Sequence, residues 1–170
     1  LQSFVEEFDL PGEEAANKLL HDYSDSILVA AFGMDEGDIR MVMVHSSTMI
    51  GTDGLDRGSK PHPRAWGTYP RILGKYVREE GVISLENAIY KMTHMPATKF
   101  GIANRGLIQE GYFADLVIFN PDTVIDRATY ENSRVGPAGM PHVIVNGKFA
   151  VRNGKHLGTR SGRALRRGEI

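Results

Sequence analysis

The sequence predicts an α/β protein, a parallel strand–helix–strand stretch followed by more helices and then a small antiparallel β unit. Two buried apolar runs and one change of period carry that expectation. Residues 26–32 contain the unbroken run Ile27-Leu28-Val29-Ala30-Ala31-Phe32, and residues 48–52 end a second short run. Continuous apolar runs of this length suit strands covered on both faces, as parallel sheets require. From Gly106 onward the pattern turns from helical to short extended segments separated by turn residues.

Composition bounds the reading. The chain has 170 residues, a formal net charge of −1 and no Cys. That length can bury one sizeable core. No apolar run approaches the roughly 20 residues of a membrane span, so no membrane role is expected. Without Cys there are no disulfides and no thiolate metal ligands in this sequence, which suits a reducing, cytoplasmic compartment. Residues 1–56 carry 12 acidic side chains against Lys18 and Arg40 alone, whereas residues 148–170 carry seven basic ones against Glu169. The basic tail, with Arg160, Arg163, Arg166 and Arg167, lacks interleaved aromatics, so nucleic acid is not expected as a partner. The sequence opens at Leu1 without an initiator Met, inside a segment with helical apolar spacing (Phe4, Val5, Phe8). It is expected to be a fragment.

In order, residues 1–8 read as helix, and Asp9-Leu10-Pro11-Gly12 as a break. Residues 13–23 form a second helix, with Ala15, Ala16, Leu19, Leu20 and Tyr23 on one face and acidic residues in its first turn. Strand 26–32 follows, and Asp35 is placed to cap a helix over 36–44. His45 falls at the end of that helix, and strand 48–52 completes a βαβ unit. Residues 55–66, with Gly58, Pro61 and Pro63, are predicted irregular, and residues 69–80 helical. Ser84 caps a helix over 85–95 with Leu85, Ala88, Ile89 and Met92 on one side, which places His94 near a helix C-terminus. A further turn at 96–100 is closed by Gly101. Strands are predicted at 107–108, 114–119, 143–145 and 148–151, with Asn146-Gly147 as a type I′ hairpin turn.

The second run ends as Met49-Ile50-Gly51-Thr52-Asp53-Gly54. A buried strand that stops on a carboxylate delivers one charge to its C-terminal rim, where α/β barrels place their chemistry. The alternative is that Asp53-Gly54 is only a turn. Together with Pro61-His62-Pro63-Arg64-Ala65-Trp66-Gly67-Thr68-Tyr69-Pro70-Arg71 and the stretch 106–115, this motif resembles the C-terminal part of N-acyl-D-amino-acid deacylases. These D-aminoacylases lie within the amidohydrolase superfamily. The Ala114-Asp115-Leu116-Val117-Ile118-Phe119 strand and the Val145-Asn146-Gly147-Lys148 hairpin identify only the superfamily, and the His62 to Arg71 block points to the deacylase branch.

The resemblance implies the C-terminal portion of a metal-dependent TIM barrel, its last two strands and following helices, plus strands of a small appended β-sandwich. The barrel part would span 1–105, and the sandwich strands with the basic tail 106–170. Asp53 would be the carboxylate at the end of the eighth strand, the general base that takes a proton from water and returns it to the leaving amine. Asp53 is also the one residue here that could touch a metal. The six His residues show no His-x-His pair, so the other ligands of one or two zinc ions would lie in the missing N-terminal part of the barrel. The substrate would be a small N-acyl-D-amino acid, with His62, Arg64, Tyr69 and Arg71 as candidate substrate contacts, since guanidinium forks match carboxylates. His62 has a structural alternative as a helix cap and the arginines as ion pairs, and Trp66, which could stack on substrate, has one in packing the irregular loop. Two other readings stand beside the deacylase. One is a cyclic-amide hydrolase of the dihydroorotase or hydantoinase type. The other is a catalytically silent fragment that self-associates through unpaired strand edges.

Overall fold

The computed structural model describes residues 2–24 and 33–165, and the chain divides into two compact units, Leu1–Gly33 and Met34–Ile170. The strand expected at 26–32 lies outside the described residues, as do Arg166 and Arg167 of the basic tail.

In the first unit, helices α1 (Gln2–Phe8) and α2 (Gly12–Tyr23) meet at the predicted break, where the Ala15 N–H donates to the Pro11 carbonyl at 2.9 Å. Phe4 and Phe8 stack one turn apart, and Lys18 covers the Phe8 ring while pairing with Asp22 at 2.9 Å. Ala15 is fully buried, but Leu20 and Tyr23 of the predicted apolar face are exposed. A seven-residue helix is too short to cover all of that stripe.

The second unit is built around Met43, Ile72, Leu73, Tyr76, Ile83, Ala88 and Val124. Each large side chain buried there contributes about 1.5–3 kcal/mol. Helix α3 (Glu36–Val44) begins on Asp35, whose carboxylate accepts from the Gly37 N–H at 2.7 Å, and ends at His45. Residues 48–52 are not a strand. No strand among the described residues pairs with them, and without a ladder an extended run stays irregular; the Ile50 N–H donates instead to the Lys91 carbonyl.

Helix α4 (Arg64–Arg71) starts five residues earlier than the apolar period suggested, and it widens without a break into a π-helical segment, Ile72–Glu79. Pro70 explains the change of pitch: it lacks the N–H that would bond the Trp66 carbonyl, and its ring crowds that carbonyl. Gly74 lets the 124–125 backbone lie against this segment, since a Cβ there would sit 2.6 Å from the Val124 carbonyl oxygen. Arg78 secures the same approach by donating to the carbonyls of Val124 and Pro121. Across the other side, Lys75 and Tyr76 reach Glu36 of α3 at 2.8 and 3.1 Å, and Arg40 reaches Glu80 at 2.9 Å.

Helix α5 (Leu85–Met92) is capped by Ser84, whose hydroxyl accepts from the Asn87 N–H. It ends at Thr93, so His94 opens the separate helix α6 (His94–Phe100) and is not in a last turn as the period implied. Pro96 falls in the first turn of α6, where its missing N–H breaks no bond, and Gly101 closes α6 in the left-handed conformation.

The antiparallel sheet has the order β1 (Leu116–Ile118), β2 (His142–Val145), β3 (Lys148–Arg152), β4 (Lys155–His156). Val117 faces Val143, and a bulge interrupts β2 and β3 at Val143/Ile144. Asn146-Gly147 forms the expected turn with positive φ at both positions, and Asn153-Gly154 repeats it to add β4. The strand expected at 107–108 is absent; that stretch is a turn region whose neighbouring residue Arg105 binds Asp115 and Asn146 and lies over the Phe113 ring. A long connection, residues 119–141, joins β1 to β2 with one bridge, Ile125 to Ala138. It carries Asp126, Tyr130 and Arg134 toward the helices.

Candidate functional site

Asp53 stands where the 48–52 run ends. Its φ is +45°, a left-handed backbone that Asp tolerates better than most residues, and its carboxylate is 85% exposed. The next residue meets the start of α4 closely: a Cβ on Gly54 would lie 2.7 Å from the Ala65 Cα. That contact brings the α4 N-terminus beside Asp53, and Arg64 Nη2 sits 2.8 Å from its carboxylate.

His62 completes the cluster. Its Nδ1 accepts from the Arg64 backbone N–H at 3.0 Å, and its Nε2 lies 3.1 Å from the Tyr130 hydroxyl, with the two rings edge to face. An imidazole that accepts at Nδ1 carries its proton at Nε2, so His62 donates to Tyr130 in the neutral form. Burial pushes its pKa below the ordinary value, and the Arg64 charge adds to that; the Asp53 carboxylate opposes both.

Asp53, His62 and Arg64 are thus brought together. Tyr69 and Arg71 are placed elsewhere. Arg71 lies two turns along the helix from Arg64, about 10 Å, and pairs with the largely buried Asp126 at 3.1 Å. Tyr69 is on the side of α4 that, with Trp66, Leu73, Met92, Val117 and Met140, lines an apolar groove of about 400 Å³ between the helices and the sheet.

Three further residues hold the Asp53 region. Lys91, only 1% exposed, donates to the carbonyls of His45 and Thr48 and to the Thr48 hydroxyl at 2.5, 3.0 and 3.2 Å. Arg134 donates to Asp56, Gly58 and Ser59. Tyr130 meets His62. Lys91 was detectable in the sequence, three residues after Ala88 on the buried stripe of α5; Tyr130 and Arg134 sit in a connection without any period.

A metal centre needs at least three donors in most protein sites. No group of three or more His, Asp or Glu side chains able to hold a metal ion occurs among the described residues. Asp53 and His62 do not by themselves fit zinc.

The family model for the amidohydrolase family matches residues 45–151, the part that contains this cluster, β1, β2 and all but the last residue of β3. The chain belongs to the amidohydrolase family. It is similar to a D-aminoacylase of Alcaligenes xylosoxydans xylosoxydans, with 48% identity over 136 residues, 80% of this chain and 28% of that protein. An N-acyl-D-glutamate deacylase of the same organism is 47% identical over 136 residues, with the same shares. The crystal structure of an N-acyl-D-glutamate deacylase from Bordetella bronchiseptica, complexed with zinc and a phosphonate mimic of the tetrahedral intermediate, superposes with a TM-score of 0.78 at 38% identity, covering 88% of this chain and 30% of that one. This amidohydrolase chain therefore spans less than a third of the length of the relatives it matches. No helix among its described residues is long and apolar enough to cross a membrane.

Proposed function

We propose that this chain is the C-terminal part of a zinc-dependent N-acyl-D-amino-acid deacylase, with Asp53 as its general base and proton carrier. The observation that carries the reading is the pairing of an exposed carboxylate with a guanidinium 2.8 Å away. An N-acyl amino acid presents an amide to hydrolyse and a carboxylate to grip, and these two groups answer both needs.

In this reading Asp53 accepts a proton from the attacking water as the oxygen bonds to the acyl carbon. The amide C–N bond then breaks, and the same proton passes from Asp53 to the leaving nitrogen. The products are a carboxylate and a free D-amino acid. Arg64 takes the substrate's α-carboxylate through its guanidinium fork. His62 fixes the Arg64 backbone through its Nδ1, while Tyr69 and Arg71 contribute to the groove wall and to the α4 anchor. A zinc centre of one ion or two would supply Lewis-acid polarisation of the amide in the whole enzyme; Asp53 is the one residue here that could touch it, and its other ligands would lie outside these residues. Residues 1–105 supply barrel elements and 106–170 sandwich strands, in a protein of the cytoplasm.

The test is turnover by the full-length protein of N-acetyl-D-amino acids, their L-enantiomers and a cyclic amide such as a hydantoin. Hydrolysis confined to the D-enantiomers is expected. Ring opening without deacylation would replace this reading with the cyclic-amide one.

A further inference from the structure

Asp53 occupies a strained backbone with its side chain in the open, and such a conformation persists only where the surroundings over-determine it. The two stretches that flank it are each tied to a different part of the fold by a cation. Upstream, Lys91 reaches from α5 with all three of its hydrogen bonds, to two carbonyls and a hydroxyl within residues 45–48. Its own carbonyl accepts from the Ile50 N–H at 3.2 Å, so both ends of the residue grip the same run. The Thr48 hydroxyl in turn donates to the Val42 carbonyl at 2.7 Å, joining the run to the end of α3. Downstream, Arg134 donates from Nε to Asp56 at 2.9 Å, from Nη1 to the Ser59 carbonyl at 3.0 Å and from Nη2 to the Gly58 carbonyl at 2.8 Å, with Nη2 also 2.9 Å from the Asp56 carboxylate.

A lysine with 1% exposure loses its hydration and recovers it only through those three oxygens. Its ammonium is therefore committed to the 45–48 backbone. An arginine spread over three acceptors fixes a loop in two directions where a single ion pair would fix one. Between the two anchors lie only a few residues, and Asp53 is in the middle of them.

We infer that Lys91 and Arg134 are positioning residues for the reaction, a bracket that holds Asp53 in its left-handed backbone. The inference rests on the role given to Asp53 above. Neither residue touches the substrate. Each acts by limiting where the carboxylate can go.

Lys91→Met and Arg134→Met in the full-length protein test this, with turnover of an N-acetyl-D-amino acid and amide hydrogen exchange over residues 45–60 as readouts. Each variant is expected to lower kcat roughly 10- to 100-fold while KM stays within about twofold. Exchange should rise within 45–60, and peptides from 72–88 should keep wild-type protection. Folded variants with wild-type kcat and wild-type exchange over 45–60 would overturn the inference. So would a rise in exchange spread through 72–88, which marks a packing role alone. If Lys91→Met does not accumulate as folded protein, Thr48→Val removes one of the three acceptors and should show the same local exchange with a smaller loss of kcat. An Asp53→Asn variant with full turnover would remove the role of Asp53, whereas the exchange pattern would still decide whether the bracket holds the backbone.

Discussion

The guanidinium of Arg64 lies 2.8 Å from the carboxylate of Asp53, two residues that eleven positions separate in the chain. The pair exists because Gly54 lets the chain press against Ala65 and so bring the first turn of α4 alongside the end of the 48–52 run.

Arg64→Met in the full-length protein should raise KM for N-acyl-D-amino acids roughly 10- to 100-fold, the worth of a charge-assisted hydrogen bond to a carboxylate. A substrate analogue with its carboxylate replaced by a neutral amide should lose nothing further in the variant. Steady-state kinetics with both substrates check this.

Gly54→Ala places a methyl 2.7 Å from the Ala65 Cα, a backbone atom that cannot step aside alone. The substitution should cost about 1–3 kcal/mol through overpacking. Denaturant unfolding of the full-length protein should show a lower midpoint, accompanied by loss of turnover at temperatures where the wild type is intact.

The join between α3 and the π-helical segment should weaken in acid. The Lys75 ammonium holds the Glu36 carboxyl below its ordinary 4.5. A carboxyl lowered in the folded state contributes stability above its unfolded value and loses it as pH falls through the folded one. The same pair raises Lys75 above 10.5, so its share is present below that pH and lost as pH climbs past the raised value. Lys75→Met should flatten the decline in stability below pH 4.5, measured as thermal midpoint against pH.

The isolated 170-residue chain should show no deacylase turnover and should self-associate. Its sheet ends at β1 with Val117 and Ile118 half exposed, and the adjacent groove is apolar. Size-exclusion chromatography coupled to light scattering should give an oligomer; a stable monomer with zinc-dependent activity would contradict the expectation.

Much of the helical framework was legible because caps and turns act locally. Asp35, Ser84, Gly101 and Asn146-Gly147 each satisfy backbone groups within a few residues, so their effect is written beside them in the sequence. The same logic applies to Asn153-Gly154, whose turn was equally readable. The strand at 48–52 was not secure on these terms, because a strand is made by its neighbour and none is paired with it among the described residues. The start of α4 was hidden by Pro61 and Pro63, which read as breakers although Pro63 directly precedes the helix. At the site, Asp53, His62 and Arg64 lie within twelve consecutive residues and could be picked out together. Tyr130 and Arg134 come from nearly seventy residues or more away through an aperiodic connection, so only the fold reveals them.

The most direct test of Asp53 as general base is kcat of the full-length Asp53→Asn variant with an N-acetyl-D-amino acid, measured beside its KM and bound metal. Asparagine keeps the shape and removes the proton acceptor. The proton-carrier role of Asp53 predicts a fall in kcat of roughly 10²- to 10⁴-fold with KM and metal content little changed. A variant that retains wild-type kcat would contradict it.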